Sequence, residues 1–336
     1  MKTGKKRPDA RIAVSPARLL SAFLVSLLIA ACSSISRHEV VVPGAAIPLV
    51  SFVFDDGFDT DYLVAREIFA EQGVVACSAI ATDLIDRPGF LEPAQIIGLR
   101  DAGWEIMGHT ASHRNLRSLT AAQVEDELFR SKTILEGMGV TVKNLVYPYN
   151  KNNETTRAIA RKYYRSARGG VDAFNRDVLE QYDLRSVSNK KFGLSQMKAR
   201  VDKAYAARDW LIIHGHQIDV KITLTNETGT FKWGEQLVFS PSGARGRLLR
   251  DRWFLTAGYL HFIPLAGTPK PGDRVAGVST GAAARLDKVV YDQREEIATL
   301  LTYVRTTYPD MKIVTVDKAL DLLGIPDIPA VTGKIP

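Results

Sequence analysis

The chain has 336 residues, with 46% apolar, 24% charged and 8% aromatic content, values that exclude a disordered or fibrous protein. Its formal charge of +7 does not point to nucleic acid. Six basic residues (Lys2, Lys5, Lys6, Arg7, Arg11, Arg18) and one acid (Asp9) fall within residues 1–31, and no basic stripe with interleaved aromatics stands out beyond them.

Residues 1–32 read as an export signal rather than as part of the fold. The basic stretch to Arg18 is followed by an apolar run, Leu19 to Ala30, and then Ala31 and Cys32. That run is shorter than a spanning helix, which needs about 20 residues. Ile29-Ala30-Ala31-Cys32 resembles a bacterial lipobox, which implies that Cys32 receives lipid and becomes the mature N-terminus. Ser33 resembles the following residue of Gram-negative lipoproteins that are not held at the inner membrane. The expectation is an exported chain, lipid-anchored to a bacterial membrane, with the outer membrane facing the periplasm as its address. An uncleaved anchor, or a plain signal with an incidental Cys32, are the alternatives. With Cys32 lipidated, Cys77 has no partner, so no disulfide framework is expected and Cys77 reads as a small core residue. Residues 33–47 suit a short tether.

From residue 48 the chain alternates strand and helix. Leu49–Phe54 reads as a strand, Tyr62–Gln72 as a helix stopped by Gly73, and Val74–Ile80 as a second strand. Pro93–Ala102 is helical, Trp104–Gly108 a third strand, and Thr120–Met138 a long helix capped by Thr120 with Gln123 three residues on. Asn144–Tyr147 is a fourth strand and Asn153–Tyr163 a helix, followed by a short strand near Ser166. Leu184–Val187 is a further strand, Leu194–Ala207 a helix and Trp210–Ile213 a seventh strand. Tyr291–Tyr308 is an amphipathic helix, and Lys312–Val316 a last strand before a short helix at Lys318–Leu323. About eight such units predict an α/β fold, a distorted (β/α) barrel over 48–323, with 324–336 as a tail. No internal repeat is expected.

The segment 217–289 breaks the rhythm, with dense glycines and prolines and no clear helix. A structureless loop of that size is improbable in a compact domain, so it reads as a β-rich insertion near the C-terminus. Most of its aromatics (Phe231, Trp233, Phe239, Trp253, Phe254, Tyr259) are expected to form its own small core, with a groove for substrate as the other use.

Four short stretches at strand ends carry chemistry. Asp55-Asp56-Gly57 places two carboxylates where a strand stops, and adjacent residues of an extended chain point apart, so the two can do separate jobs. In His109-Thr-Ala-Ser-His113, imidazoles at i and i+4 can share one face and one metal ion. In Tyr147-Pro148-Tyr149-Asn150, Pro fixes a turn and Asn tolerates a left-handed backbone, so the turn can aim an N–H at a bound oxygen. His214-Gly-His216 ends the seventh strand with both rings on one side. A Ser-His-Asp reading through Ser112 is weaker, since no Gly-x-Ser-x-Gly elbow is present.

The order Asp-Asp, His-x-x-x-His, Pro turn, His resembles the polysaccharide deacetylase (NodB-type) family, carbohydrate esterase family 4, over about 48–218 and again at 290–323. The resemblance implies a distorted (β/α) barrel and a metal-dependent hydrolase that removes N-acetyl groups from an envelope or exported polysaccharide. It implies Asp56, His109 and His113 as ligands of a divalent metal, with zinc first and cobalt or nickel as alternatives. It implies Asp55 as general base, the Tyr149 N–H as oxyanion donor, and His216 or His214 as general acid, with His216 preferred. Many relatives carry Arg where Val146 stands, and Arg185 resembles the Arg that other branches supply from a later strand to orient the base. The expected partners are an acetylated polysaccharide and a membrane through the lipid anchor alone. A carbohydrate-binding lipoprotein without turnover and a glycan O-deacetylase are the competing readings.

Overall fold

The parallel sheet is built around the strand β1 (Leu49–Phe54), whose six residues are all buried and which pairs in parallel along its whole length with β7 (Trp210–Gly215). The computed structural model describes residues 47–176, 178–189, 193–249 and 258–327, together with Met1 and 39–41. The export signal, Cys32, most of the tether, Trp253, Phe254 and most of the tail lie outside the described residues. Among the described residues no helix is long and apolar enough to cross a membrane.

On its other edge β1 pairs through Val53 and Phe54 with β2 (Cys77–Ile80). The ladder continues in parallel through β3 (Glu105–Gly108), β4 (Asn144–Val146), β5 (Ser166–Val171), β6 (Leu184–Ser188) and back to β7. Seven parallel strands therefore close a barrel. The expectation of about eight units is corrected by the last strand, β14 (Lys312–Ile313). It does not enter the ring but pairs with the start of β1, on the edge whose far half β2 takes.

Helices α1 (Arg66–Glu71, preceded by one π-turn at Asp61–Ala65), α2 (Pro93–Asp101), α3 (Ala121–Gly137), α4 (Glu154–Tyr163), α5 (Leu194–Ala207) and α6 (Gln293–Thr307) form near where the sequence places them. Thr120 caps α3 in a capping box with Gln123. The strands alternate between two cores, as a period of two requires. Val50, Phe52, Phe54, Ile106, Leu145, Ala167 and Ile213 pack outward against the helices. Leu49, Val53, Cys77, Met107, Val146, Leu184 and Ile212 fill the interior, where Val316, Ala319 and Leu320 of α7 (Val316–Leu322) join them. The inward row of each strand, followed to its C-terminal end, leads to the residues with chemistry. Cys77 is a buried free thiol in this interior core.

The insertion is a second closed barrel, antiparallel and six-stranded: β8 (Val220–Thr228), β9 (Gln236–Ser240), β10 (Arg245–Leu248), β11 (Tyr259–Ala266), β12 (Arg274–Gly277) and β13 (Ala283–Asp292), in the order β8-β11-β10-β9-β12-β13. It has its own core, which includes Phe231 and Phe239, whereas Trp233 and Tyr259 stay largely exposed.

Its symmetry corrects the expectation that no repeat exists. Residues 229–248 recur as 267–286, with Gly229, Thr230, Lys232, Gly234, Gly243, Ala244, Arg247 and Leu248 matched by Gly267, Thr268, Lys270, Gly272, Gly281, Ala282, Arg285 and Leu286. The hydrogen bonds recur with them. Glu235 accepts from the N–H groups of Lys232 and Thr280, and Asp273 from those of Lys270 and Ser242. Each half thus ties down the turn of the other. Gly229 and Gly267 both have positive φ and approach the backbone of Ala282 and Ala244 closely.

Candidate active site

Asp55 follows β1 directly, and its N–H donates to the Gly215 carbonyl at 2.8 Å. The carboxylate lies on the inward row and is buried. Its Oδ2 accepts from Nη2 of Arg168 at 2.5 Å. Arg168 belongs to the inward row of β5, is 0% exposed, and also donates to Asn150 Oδ1 at 2.7 Å and Ser186 Oγ at 3.2 Å. Burial pushes the Asp55 carboxyl up, but the Arg168 guanidinium, with His214, His109 and His216 nearby, outweighs it and holds Asp55 below its ordinary range. Oδ1 of Asp55 is buried without a hydrogen-bond partner among the described residues.

This geometry corrects the assignment of Arg185. Arg185 stands one position before the inward Ser186, so it faces out of the barrel. Its side chain is 40% exposed, and it meets Glu180 at 3.5 Å. Asp55 finds its guanidinium on the neighbouring strand instead. Val146 is an interior core residue whose carbonyl has another task, described below.

Asp56 turns away from Asp55 because its φ is 78°, followed by 76° at Gly57. Its Oδ1 lies 3.2 Å from Nε2 of His109 and 3.1 Å from Nε2 of His113. One donor atom from each of these three residues lies within 4.8 Å of the others. His109 ends β3 and its Nδ1 donates to the Val146 carbonyl at 2.8 Å. A carbonyl can only accept, so that nitrogen carries the proton and Nε2 is free to offer its lone pair to a cation. Oδ1 of Asp56 is itself buried and has no well-aligned donor among the described residues. Burial would raise the Asp56 carboxyl, yet His109 and His113 keep it well below the usual range. Two imidazole nitrogens and one carboxylate oxygen, converging around an orphaned buried atom, fit a divalent ion with an open position.

The two imidazoles meet by a different route from the shared helix face that their spacing allows. The stretch after β3 is a loop in which Thr110 and His113 take positive φ (65° and 56°). Glu127 of α3 holds it: the buried carboxylate accepts from the N–H groups of Ala111 (3.0 Å) and Ser112 (2.8 Å) and from the Ser112 hydroxyl. The Pro148 turn puts Tyr149 and Asn150 both in the left-handed region (φ 59° and 54°). Tyr149 is 59% exposed, with its ring centroid 4.8 Å from that of His113.

His214 ends β7, buried, with Nδ1 2.9 Å from Ser186 Oγ. Burial, reinforced by Arg168 and opposed by Asp55, pushes its pKa down to about 3, so it is neutral at physiological pH. His216 lies beside it, ring centroids 6.3 Å apart. The structure therefore brings Asp55, Asp56, His109, His113, Tyr149, His214 and His216 to one mouth, at the C-terminal ends of the parallel strands, and leaves Arg185 outside it.

Residues 45–166 match the polysaccharide deacetylase family model. The matched segment contains both carboxylates, both imidazoles and the Pro148 turn, while Arg168, His214 and His216 lie beyond it. The Bacillus subtilis (strain 168) protein YxkH, whose name assigns it to the polysaccharide deacetylases, is 28% identical over 114 residues, 34% of this chain and 41% of YxkH. The chain thus aligns with less than half the length of this relative. Among solved structures, the Streptococcus pyogenes deacetylase PplD in complex with acetate is similar at 24% identity and TM-score 0.36, over 40% of this chain and 63% of that one. The CE4 domain of a multidomain xylanase from the hindgut metagenome of Trinervitermes trinervoides is similar at 12% identity and TM-score 0.47, over 84% of this chain and 95% of that one.

Four residues of the site escape a reading by motif: Arg168, Glu127, Asn150 as a hydrogen-bond acceptor, and Ser186. For Arg168 a signal existed. It shares the strand parity of Ser166 in a short stretch with small neighbours, Ala167 and Gly169, where a long cation must point into the barrel.

Proposed function

We propose that this chain removes acetyl groups from an acetylated polysaccharide, using a divalent metal held by Asp56, His109 and His113. What carries the reading is the convergence of those three donor atoms within 4.8 Å, next to a buried carboxylate paired with a buried guanidinium. Zinc suits a set of two nitrogens and one oxygen, and cobalt or nickel accept the same donors. When bound, such an ion polarises the acetyl carbonyl and lowers the pKa of water at the site towards about 7. Asp55, kept ionised by Arg168, accepts the proton of the attacking water. The Tyr149 N–H, set by its left-handed backbone, donates to the carbonyl oxygen as charge develops there. His216 delivers a proton to the departing atom, and the deeper, neutral His214 supports the wall behind it. A sugar amide is the preferred substrate bond and a sugar ester the other; the donor set serves both.

Residues 1–32 support the further reading of an exported lipoprotein, tethered at Cys32 to the outer membrane and working on envelope or exported glycan. The test is acetate release by the full chain from a panel of N- and O-acetylated oligosaccharides, after loading with zinc, cobalt or nickel. Chelator should abolish release, and Asp55→Asn should lower it by about 10²–10⁴-fold while metal binding persists. Full metal loading with no acetate from any glycan would overturn the reading in favour of a binding lipoprotein.

A further inference from the structure

Asp219, His261 and Tyr291 form a polar cluster where the insertion meets the parallel barrel. Lys221 of β8 pairs with His261 of β11 on one side and with Tyr291 of β13 on the other. Residues paired across a sheet share one of its faces, and Asp219, two positions before Lys221, falls on the same face. The opposite face carries Val220, Ile222, Leu260 and Phe262, which belong to the insertion's own core. Ile263, next on the row of His261, packs instead in the outer core of the parallel barrel, as does Ile218. The cluster therefore lies in the seam between the two barrels, with Asp219 and His261 buried and Tyr291 half-buried.

The seam fixes Asp219 through side chain and backbone together. Its Oδ2 accepts from the Tyr291 hydroxyl at 2.7 Å and from Nδ1 of His261 at 3.0 Å. Burial and the Asp219 carboxylate push the Tyr291 pKa up, so the hydroxyl keeps its proton and remains a donor. From the start of α6, the Gln293 side-chain oxygen accepts from the Asp219 N–H at 2.9 Å, and the Gln293 N–H donates to the Asp219 carbonyl at 3.2 Å. Apolar groups of the same shape would hold two barrels together about as well, because a buried hydrogen bond adds little net stability. What a satisfied polar network adds is one defined geometry.

That geometry reaches the mouth within a few residues. The turn after β7 carries His214 and His216 and ends at Asp219. Before His216, the Gly215 carbonyl accepts from the Asp55 N–H at 2.8 Å. After it, the Ile218 N–H donates to Oγ1 of Thr60 at 3.2 Å, and Thr60 is buried in the loop that follows Asp55 and Asp56. His216 thus sits on a short span tied at both ends to the segment of the paired carboxylates, and the insertion holds the very next residue, Asp219.

We propose that His261, together with Tyr291, is a positioning residue: by holding Asp219 the insertion barrel fixes the turn that presents the proton-donating histidine to the departing atom. This rests on the deacetylase reading for the histidine's role. When the C–N bond of a sugar amide breaks, the nitrogen must take a proton from the imidazolium to leave as a neutral amine. A nitrophenyl acetate needs no such proton, since nitrophenolate leaves as a stable anion. A misplaced acid therefore penalises the amide and spares the activated ester, whereas general damage to the fold lowers both.

The experiment compares the zinc-loaded full chain with His261→Leu, His261→Asn and Tyr291→Phe. The substrates are an N-acetylglucosamine hexamer and 4-nitrophenyl acetate. In His261→Leu, kcat on the hexamer should fall by about 10–100-fold, as for other small displacements of a catalytic group, while ester turnover and zinc affinity stay within about twofold. Tyr291→Phe, a smaller change in case the leucine variant does not fold, should show the same split at about threefold to tenfold. His261→Asn keeps an N–H donor near the position of Nδ1 and should recover most of the loss. Amide hydrogen exchange followed by mass spectrometry gives a readout without turnover: the peptide over 214–219 should exchange about tenfold faster in the leucine and phenylalanine variants, with β4 unchanged. Amide and ester turnover falling together, or exchange over 214–219 equal to that of the parent, overturns the proposal. A parent that turns over neither substrate counts against the deacetylase reading, and the exchange comparison then decides by itself whether His261 holds the turn.

Discussion

A carboxylate that must accept a proton needs to be ionised first, and burial works against that. Asp55 is buried, and desolvation alone would raise its pKa. Arg168 reverses the balance, and Asp55 in turn is what allows a guanidinium with no exposed surface. Arg168→Met removes the cation while keeping much of the volume. It should cost about 3–5 kcal/mol of stability, because an unpaired buried charge is left behind. A thermal melt would register the loss, and acetate release should fall by about 10²-fold or more as Asp55 takes up a proton. Adding Asp55→Asn should restore stability without restoring turnover; a double variant no more stable than the single would show that Arg168 acts by packing rather than charge. At this scale the sequence was legible for groups that end strands in named motifs, such as Asp55, Asp56, His109 and His113. It was not legible for the partner of Asp55. Arg185 and Arg168 lie on adjacent strands, with Arg185 opposite Gly170. What separates them is the side of the strand each faces, which depends on register and not on residue type.

Elements position the converging donor atoms of Asp56, His109 and His113 through their ends rather than their faces. The strand and helix pattern was legible because apolar periodicity and caps are local signals; α3 starts at the Thr120–Gln123 capping box as its sequence suggests. The His109-to-His113 loop was not, because its shape is imposed from α3. Glu127 satisfies two N–H groups and a hydroxyl that the turn would leave unpaired, and this lets Thr110 and His113 hold positive φ. Glu127→Ala should therefore loosen the loop without touching a ligand. Its expected effect is metal affinity weaker by about 10–100-fold, read by competition with a coloured chelator. Glu127→Gln keeps an acceptor oxygen and should recover part of the loss. Equal affinity in the alanine variant and the parent would mean that the loop holds its shape unaided.

The whole molecule is two barrels, one parallel with the candidate site at its mouth, the other an antiparallel pair of repeats inserted between β7 and α6. The duplication went unseen in sequence because the matched positions are mostly glycines, turn residues and small apolar groups, which any β-rich segment contains; only the paired hydrogen bonds of Glu235 and Asp273 make it plain. The repeats have diverged at one telling position. Arg285 is exposed, whereas its counterpart Arg247 reaches the parallel barrel and donates through Nη2 to both oxygens of Asp59, at 2.8 and 2.6 Å. Asp59 is buried three residues after Asp56, and its carbonyl receives the N–H groups of Tyr62 and Leu63 at the start of the π-turn. The insertion thus grips the loop that presents the paired carboxylates. Burial raises the Asp59 carboxyl and Arg247 opposes that rise. In Arg247→Met the opposition is gone, so the folded-state pKa of Asp59 climbs further above its unfolded value. Above that raised pKa an unpaired charge stays buried and the variant should be less stable by about 3–5 kcal/mol. As pH falls through the raised pKa, Asp59 takes up a proton and the penalty fades, since folding then binds a proton that the unfolded chain does not. The melting-temperature gap between parent and variant should accordingly be wide at pH 8 and narrower at pH 5, with metal binding weakened in step. Arg285→Met, the same change in the other repeat, should stay within about 0.5 kcal/mol of the parent at either pH. A gap that is the same at both pH values would show that Arg247 joins the barrels by packing of its aliphatic stem, and that the charge on Asp59 is held by something else.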